Sequence, residues 1–214
     1  MGSEHYLNHY AAAWAWALTA PFQGTKQDAS HLGGTTDPLV ISWPARFPQA
    51  EGLRSQFSHL VDIAPTLYEA AHITPPTITD SVAQWPLEGT SLLYTLDQPN
   101  APSRHHIQYF ATNGNRSIYA NGWWAGILAQ QTWEGPNGSA YLTQGQHDTH
   151  QWELYNLNDD YSQASDLAAH YPEKLKELQA LFDKEAKRNQ VDPLRPGIAG
   201  LYPVGAAGGQ KVFT

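Results

Sequence analysis

The chain has 214 residues, 41% hydrophobic, 12% aromatic and only 15% charged, with a formal net charge of −8 and no cysteine. That composition sustains a core and excludes global disorder. It lacks the clustered Lys and Arg that displace counterions from nucleic-acid phosphates, and without Cys there are no disulfides, thiolate zinc sites or cysteine nucleophiles.

The opening MGSEHYLNHY has neither the basic nor the apolar region of a secretory signal, and AAAWAWALTAPF follows at once, reading as the interior of something larger. No apolar run approaches the ~20 residues of a membrane span. Residues 25–34, TKQDASHLGG, crowd a lysine, an acid, two hydroxyls and a histidine in front of a Gly-Gly pair. Next, PLVISW at 38–43 is a continuous β-branched run bounded by proline, the pattern of a strand covered on both faces in a parallel sheet. SQFSHLVDIAPTLYEAAHI predicts a helix with Asp62 as N-cap, Pro65 in the first turn, and Leu67, Ala70 and Ala71 on the buried face. Residues 74–102 are proline-rich and read as a connection carrying one apolar segment, SLLYTL.

The texture changes near Ser103. IQYFA, RSIYA and WWAGIL read as strands, and Asn121-Gly122 between the last two is a hairpin signal, because a type I′ turn needs positive φ twice. WELYNL (152–157) is a further strand. PEKLKELQALFDKEAKR, 172–188, predicts a helix with Pro172 at its first position, Glu173 at the positive end of its dipole and Lys184, Lys187 and Arg188 near the negative end. Leu175, Leu178, Leu181 and Phe182 form its apolar stripe. The expected fold class is α/β: a partial sheet, then a small antiparallel sheet with a C-terminal helix over one face.

Five segments in series then carry a resemblance. APFQGTKQDASHLGG stands before an apolar strand ending in Trp43-Pro44; SQFSHLVDIAPTLYEAA, PLEGTSLLYTL, WELYNLNDDYSQASDLA and the final helix follow in order. Together, from about Asn8 to Arg188, they resemble the arylsulfatase branch of the sulfatase family, within the alkaline-phosphatase-like superfamily. The departures are Ala20 and Gly24, where Thr and Trp are common, and a longer tail after Val191.

The resemblance implies sulfate-ester hydrolysis by a formylglycine made from the Cys or Ser of a C/S-x-P-x-R motif, with calcium as the usual metal and lysines and histidines gripping the sulfate. It maps one sulfate-gripping lysine onto Lys26, read as a catalytic and substrate-binding residue, and makes His31 a second candidate for substrate binding. For His31 the alternative is that it only satisfies local backbone groups. The Gly33-Gly34 pair is expected to let backbone approach the pocket. The implied division is 1–100 as the C-terminal part of the catalytic α/β domain, 101–190 as an antiparallel-sheet-plus-helix subdomain, and 191–214 as an irregular tail. In the family the modification motif and the metal ligands lie on the N-terminal side of the lysine loop. This chain is therefore expected to bind neither calcium nor formylglycine by itself and to act with an N-terminal portion of the same enzyme on a sulfate-ester small molecule, with no nucleic acid or membrane involved. Its compartment stays open.

Ser42-Trp43-Pro44-Ala45-Arg46 formally spells S-x-P-x-R. That nucleophile needs a helix start, where N–H groups favour an anion, and here it sits at a strand end with Pro48 following, so it is read as a coincidence. His105-His106 and His147-x-x-His150 are read as surface histidines rather than zinc ligands. Asn115-Arg-Ser and Asn137-Gly-Ser match glycosylation acceptors. Two other functions fit the residues: a phosphodiesterase or phosphonate hydrolase of the same superfamily, and a non-catalytic glycan-binding module using the tryptophans of WAW and GWWAGI.

Overall fold

The computed structural model describes residues 11–48, 52–112, 114–129 and 151–191. In chain order these form α1 (Ala12–Thr19), the single turn α2 (Leu32–Thr35), a 3₁₀ turn (Leu60–Asp62), α3 (Ile63–Ala70), β1 (Ile78–Thr79), β2 (Val82–Ala83), α4 (Leu93–Asp97), β3 (Ile107–Thr112), β4 (Asn115–Ala120), β5 (Trp123–Ile127), β6 (Glu153–Asn156) and α5 (Pro172–Arg188). Among the described residues two compact units emerge, one from those up to residue 37 together with those from 109 onward, and one from those between 38 and 108.

The first unit is organised by a four-stranded sheet in the order β3-β4-β5-β6. Strands β4 and β5 are joined through Asn121 and Gly122, at φ 49° and 86°, so the two-residue turn has the left-handed pair that its sequence demands. Antiparallel register pairs Ile118 with Ala125 and Tyr119 with Trp124, and β6 continues it with Leu154 opposite Ala125 and Tyr155 opposite Trp124. Because side chains alternate along a strand, Ile118, Ala120, Ala125 and Leu154 share one face. Helix α5 covers it with Leu178, Phe182 and Ala186, all buried, while Leu175 and Leu181 pack at the margin. Trp152 and Tyr109 meet the Phe182 ring edge-on at 5.7 and 6.4 Å. Pro172 stands in the first turn with Glu173, and Lys187 and Arg188 in the last, as the dipole favours. Burying a side chain such as Phe182 stabilises by about 1.5–3 kcal/mol, so this face is the main apolar core of the unit.

The other face is not open. Asn115, Ser117 and Tyr119 of β4 point there with Trp124 and Gly126 of β5, and all six residues of β4 are buried. What covers them is the polar loop before and through α2.

In the second unit, Asp80 and Ser81 at φ 49° and 67° turn β1 back onto β2. Helix α3 forms where expected, but Leu67 and Ala71 are exposed and Ala70 is only partly buried, because the helix is held by polar contacts of its first turn rather than by an apolar stripe. Residues 38–43 form no strand. Val40 is 88% exposed and Leu39 and Ile41 are about half exposed. A strand exists only where neighbours take its backbone N–H and C=O groups, and among the described residues none pairs with this segment. What the chain presents is a mixed α/β arrangement with a small antiparallel sheet and a C-terminal helix.

Candidate functional site

Residues 23–35 make a tight, self-braced loop. The Asp28 N–H donates to Thr25 O at 2.9 Å, closing a four-residue turn with Lys26 and Gln27 at its corners. Gln27 has φ 79°, the positive value that the third position of a type II turn requires. The Asp28 carboxylate, fully buried, accepts from the Thr25 N–H at 2.9 Å and draws in the Thr25 hydroxyl at 3.4 Å. Thr25 and Asp28 are therefore inside, and Lys26 is exposed at the tip between them. Gly33 and Gly34 bring α2 against this same loop. A Cβ on Gly33 would meet the carbonyls of Gln23 and Gly24, and one on Gly34 those of Thr25 and Asp28. The glycines serve close packing within the loop.

The sheet fastens the loop from below. Asn115 Nδ2 donates to Gln27 O at 3.1 Å, the Ser117 hydroxyl donates to Ala29 O, and Trp124 Nε1 donates to Ser30 O at 2.7 Å. Gly126 sits under the Ser30 carbonyl, where any larger residue would collide with it. Gln163, fully buried, accepts from the Leu32 N–H at 2.7 Å through Oε1, and its backbone carbonyl accepts from the Gln23 amide.

His31 is buried inside this arrangement, 3% exposed. Its Nδ1 lies 2.9 Å from Ser30 Oγ, and its Nε2 lies 2.9 Å from Glu153 Oε2, an electrostatic contact off the line of a ring N–H hydrogen bond. The Tyr155 hydroxyl donates to the same Glu153 oxygen at 3.0 Å. His31 holds the Glu153 carboxyl below the usual carboxylate range, against the upward push of burial. Burial, with the Glu153 charge beside it, pushes the Tyr155 phenol far up. Lys26 and His31 thus share a loop but face different surroundings, one solvent and one the sheet.

A second polar cluster lies in the other unit, where sequence reasoning saw only surface histidines. His105 is 7% exposed, and Asp62 is fully buried. Both Asp62 oxygens lie 2.8 Å from His105 Nδ1; one also accepts from the His59 N–H at 2.8 Å and the other from the Thr90 N–H at 2.7 Å. His105 Nε2 faces Ile107 O at 3.1 Å. Both ring nitrogens face oxygens that can only accept, so the ring holds both protons. Burial pulls the His105 pKa down, but the Asp62 contact outweighs it and raises the net value. Asp62 is pushed up by burial and drawn down further by hydrogen bonds from His105, Thr90 and His59. Asp62 stands at the N-cap position of α3 as the sequence predicts, but its side chain makes no cap bond to that helix; it takes the His59 N–H instead, closing a reciprocal capping box in which His59 is the cap of the 3₁₀ turn.

The S-x-P-x-R segment is not at a helix start. Residues 44–46 form a turn, Arg46 stacks over Trp43 and Phe47 at 5.3 and 5.0 Å, and its guanidinium donates to Asp97 at 3.1 Å. No group of three or more His, Asp or Glu suited to a metal occurs among the described residues. Asp159 and Asp160 are tied to Asn156, Ser162 and the Ser165 N–H. His147, His150 and Asn137 lie outside the described residues. The Asn115 acceptor triplet is closed, because its amide is 2% exposed and bonded at both ends, to Gln27 O and from the Ala129 N–H. No described helix is long and apolar enough to cross a membrane.

The family model described as Sulfatase matches residues 3–73, which include the whole lysine loop. An uncharacterized sulfatase of Schizosaccharomyces pombe is 24% identical over 180 residues, covering 83% of this chain and 29% of its own length. A Bacteroides thetaiotaomicron structure, described in connection with the metabolism of multiple glycosaminoglycans, superposes with a TM-score of 0.52 at 21% identity, over 78% of this chain and 32% of that one. A second solved structure, described in complex with its substrate D-glucosamine-2-N,6-O-disulfate, gives a TM-score of 0.43 at 20% identity, over 65% of this chain and 26% of that one. The chain is thus similar in sequence to sulfatases, and its mixed α/β fold is like that of the structure that superposes with a TM-score of 0.52. It spans about a third or less of the length of the relatives it matches.

Proposed function

We propose that this chain forms the C-terminal portion of an arylsulfatase-like sulfuric ester hydrolase and supplies a lysine, Lys26, that grips the sulfate. The observation that carries the reading is the placement of Lys26: exposed at the tip of a turn whose base is buried through Thr25 and Asp28, inside the segment that matches the sulfatases. Cleaving a sulfate ester moves negative charge onto the sulfate oxygens and the leaving oxygen. An ammonium already held beside them gains more attraction in the transition state than in the ground state, and needs little reorganisation to do so. A formylglycine nucleophile and a calcium ion, which sulfatases generally use, would come from parts of the longer protein beyond the residues described here. In this reading residues 1–100 belong to the catalytic α/β domain, 101–190 to the sheet-and-helix subdomain and 191–214 to a tail.

His31 belongs to the same reading in a different place. To touch a substrate its ring would have to leave Glu153 and Ser30, so we assign it to anchoring the loop through those two side chains. Trp124 is buried and counts against a glycan-binding surface on the hairpin, whereas Trp123 is only partly buried and Trp14 and Trp16 of the WAW segment are exposed. In the complete enzyme, Lys26→Ala should lower kcat/KM for 4-nitrophenyl sulfate by about two to three powers of ten, and unchanged kinetics would return Lys26 to a solvated loop lysine. Paired sulfate and phosphate esters in the same assay separate a sulfatase from a phosphodiesterase or phosphonate hydrolase.

A further inference from the structure

We infer that Asn115, at the start of β4, is a positioning residue for Lys26; this rests on the reading of Lys26 above. Gln27 occupies left-handed backbone, φ 79°, although it carries a side chain. Such a residue sits roughly 1–2 kcal/mol above its right-handed alternative, so the turn persists only if its surroundings hold it. Two donors converge on the Gln27 carbonyl: the Ala29 N–H at 3.0 Å, from within the loop, and Asn115 Nδ2 at 3.1 Å, from the sheet. Asn115 cannot swing away, because its Oδ1 accepts from the Ala129 N–H at 2.7 Å and its side chain is 2% exposed. The amide is thereby oriented, with its oxygen committed to the Ala129 N–H just past β5 and its N–H aimed at the Gln27 carbonyl, one residue beyond Lys26.

If the Gln27 peptide relaxed to negative φ, the Lys26 Cα–Cβ bond would re-aim while the buried Thr25 and Asp28 stayed in place. Asn115 therefore acts on the direction of the lysine rather than on the presence of the loop, which the Ser117, Trp124 and Gln163 contacts hold independently. An invariantly local sequence reading would not connect residues 27 and 115, which are 88 positions apart.

The experiment uses the complete enzyme with Asn115→Ala, Asn115→Asp, Lys26→Ala, the double variant Asn115→Ala/Lys26→Ala, and Asn115→Ala with Gln27→Gly. Asp keeps the size of Asn but presents oxygen to the Gln27 carbonyl. Two readouts are taken: hydrogen exchange of the amides of residues 26–29, and kcat and KM on 4-nitrophenyl sulfate. The expected result is faster exchange at 26–29, unchanged exchange at Trp124, and kcat/KM down by roughly one to two powers of ten, the cost of misplacing a catalytic group by about 1 Å. The Asn115→Ala loss should vanish in a Lys26→Ala background, as a residue acting through Lys26 requires, and Gln27→Gly should restore part of it because glycine accepts positive φ without strain. Unchanged exchange at 26–29, or losses that simply add, overturns the positioning role. If Lys26→Ala itself leaves kinetics intact, the sulfate reading fails, while altered exchange would still report the clamp on the turn.

Discussion

Replacing Asp62 by Asn should unfold the surroundings of the 3₁₀ turn while leaving the sheet intact. The carboxylate accepts from two backbone N–H groups and from the His105 ring, all at 2.7–2.8 Å, with no solvent exposure. Asn keeps one acceptor oxygen but turns an NH₂ toward a group that itself donates, and it withdraws the negative charge that the buried imidazolium faces. Removing one partner of a buried ion pair costs about 3–5 kcal/mol, because the other charge stays desolvated. Ordinary domains are stable by only ~5–15 kcal/mol, so the loss is a large share of the stability of residues 38–108. Hydrogen exchange reads it directly. The Thr90 and Leu92 amides, bonded to Asp62 and Thr66, should exchange faster by about two to four powers of ten, since each 1.4 kcal/mol is tenfold. The Trp124 and Leu154 amides provide the internal control. Protection at Thr90 that changes by less than tenfold would refute the assignment of this pair as the unit's polar anchor.

Three other outcomes follow from the same geometry. The raised His105 pKa makes its contribution fully present below the ordinary 6.5 and lost as pH rises through the folded-state value, while the lowered Asp62 pKa removes its contribution as pH falls below 3.8. His59, whose pKa burial and His105 lower, runs the opposite way near neutrality. The difference in Thr90 protection between the parent and His105→Gln should therefore shrink on raising pH above 6.5, and a constant difference refutes the imidazolium. Phe182→Ala, at the centre of the α5 face, should destabilise the sheet unit by about 3–5 kcal/mol in denaturant unfolding; a loss under 1 kcal/mol would show that α5 is not its core. In exchange across the whole chain, residues 115–127 and 28–33 should be slow together and residues 38–43 fast, and strong protection at 38–43 would mean that this run has found strand partners.

Local rules were enough for the hairpin and the final helix. Asn121-Gly122 specifies its own turn through backbone sterics, and α5 runs from Pro172 to Arg188 because a proline start, dipole-matched charges and a 3.6-residue apolar stripe all agree. A continuous apolar run was a poorer guide at residues 38–43, since a strand needs a partner strand: PLVISW carries the composition of one and, among the described residues, has no ladder to join. Leu67 failed likewise as a buried position, because α3 is held through Asp62 and Thr66, groups whose partners at 90, 92 and 105 lie far along the chain.

The cluster at 25–34 was legible as chemistry and illegible as geometry. Lys26 stood out through residue types and resemblance, whereas the separation of Lys26 toward solvent and His31 toward Glu153 arises only when the loop meets the sheet. One signal pointed there: Gly126 inside a strand marks a place where another backbone comes close, and the Ser30 carbonyl is what it admits. By itself the sequence determined the elements whose stabilising contacts lie within a few residues, because turns, caps and amphipathic stripes are short-range. Only the tertiary structure decided which face of the sheet receives the lysine loop, which histidines are buried, and how Gln27 is held at positive φ, because each of those depends on donors and acceptors brought together from parts of the chain distant in sequence.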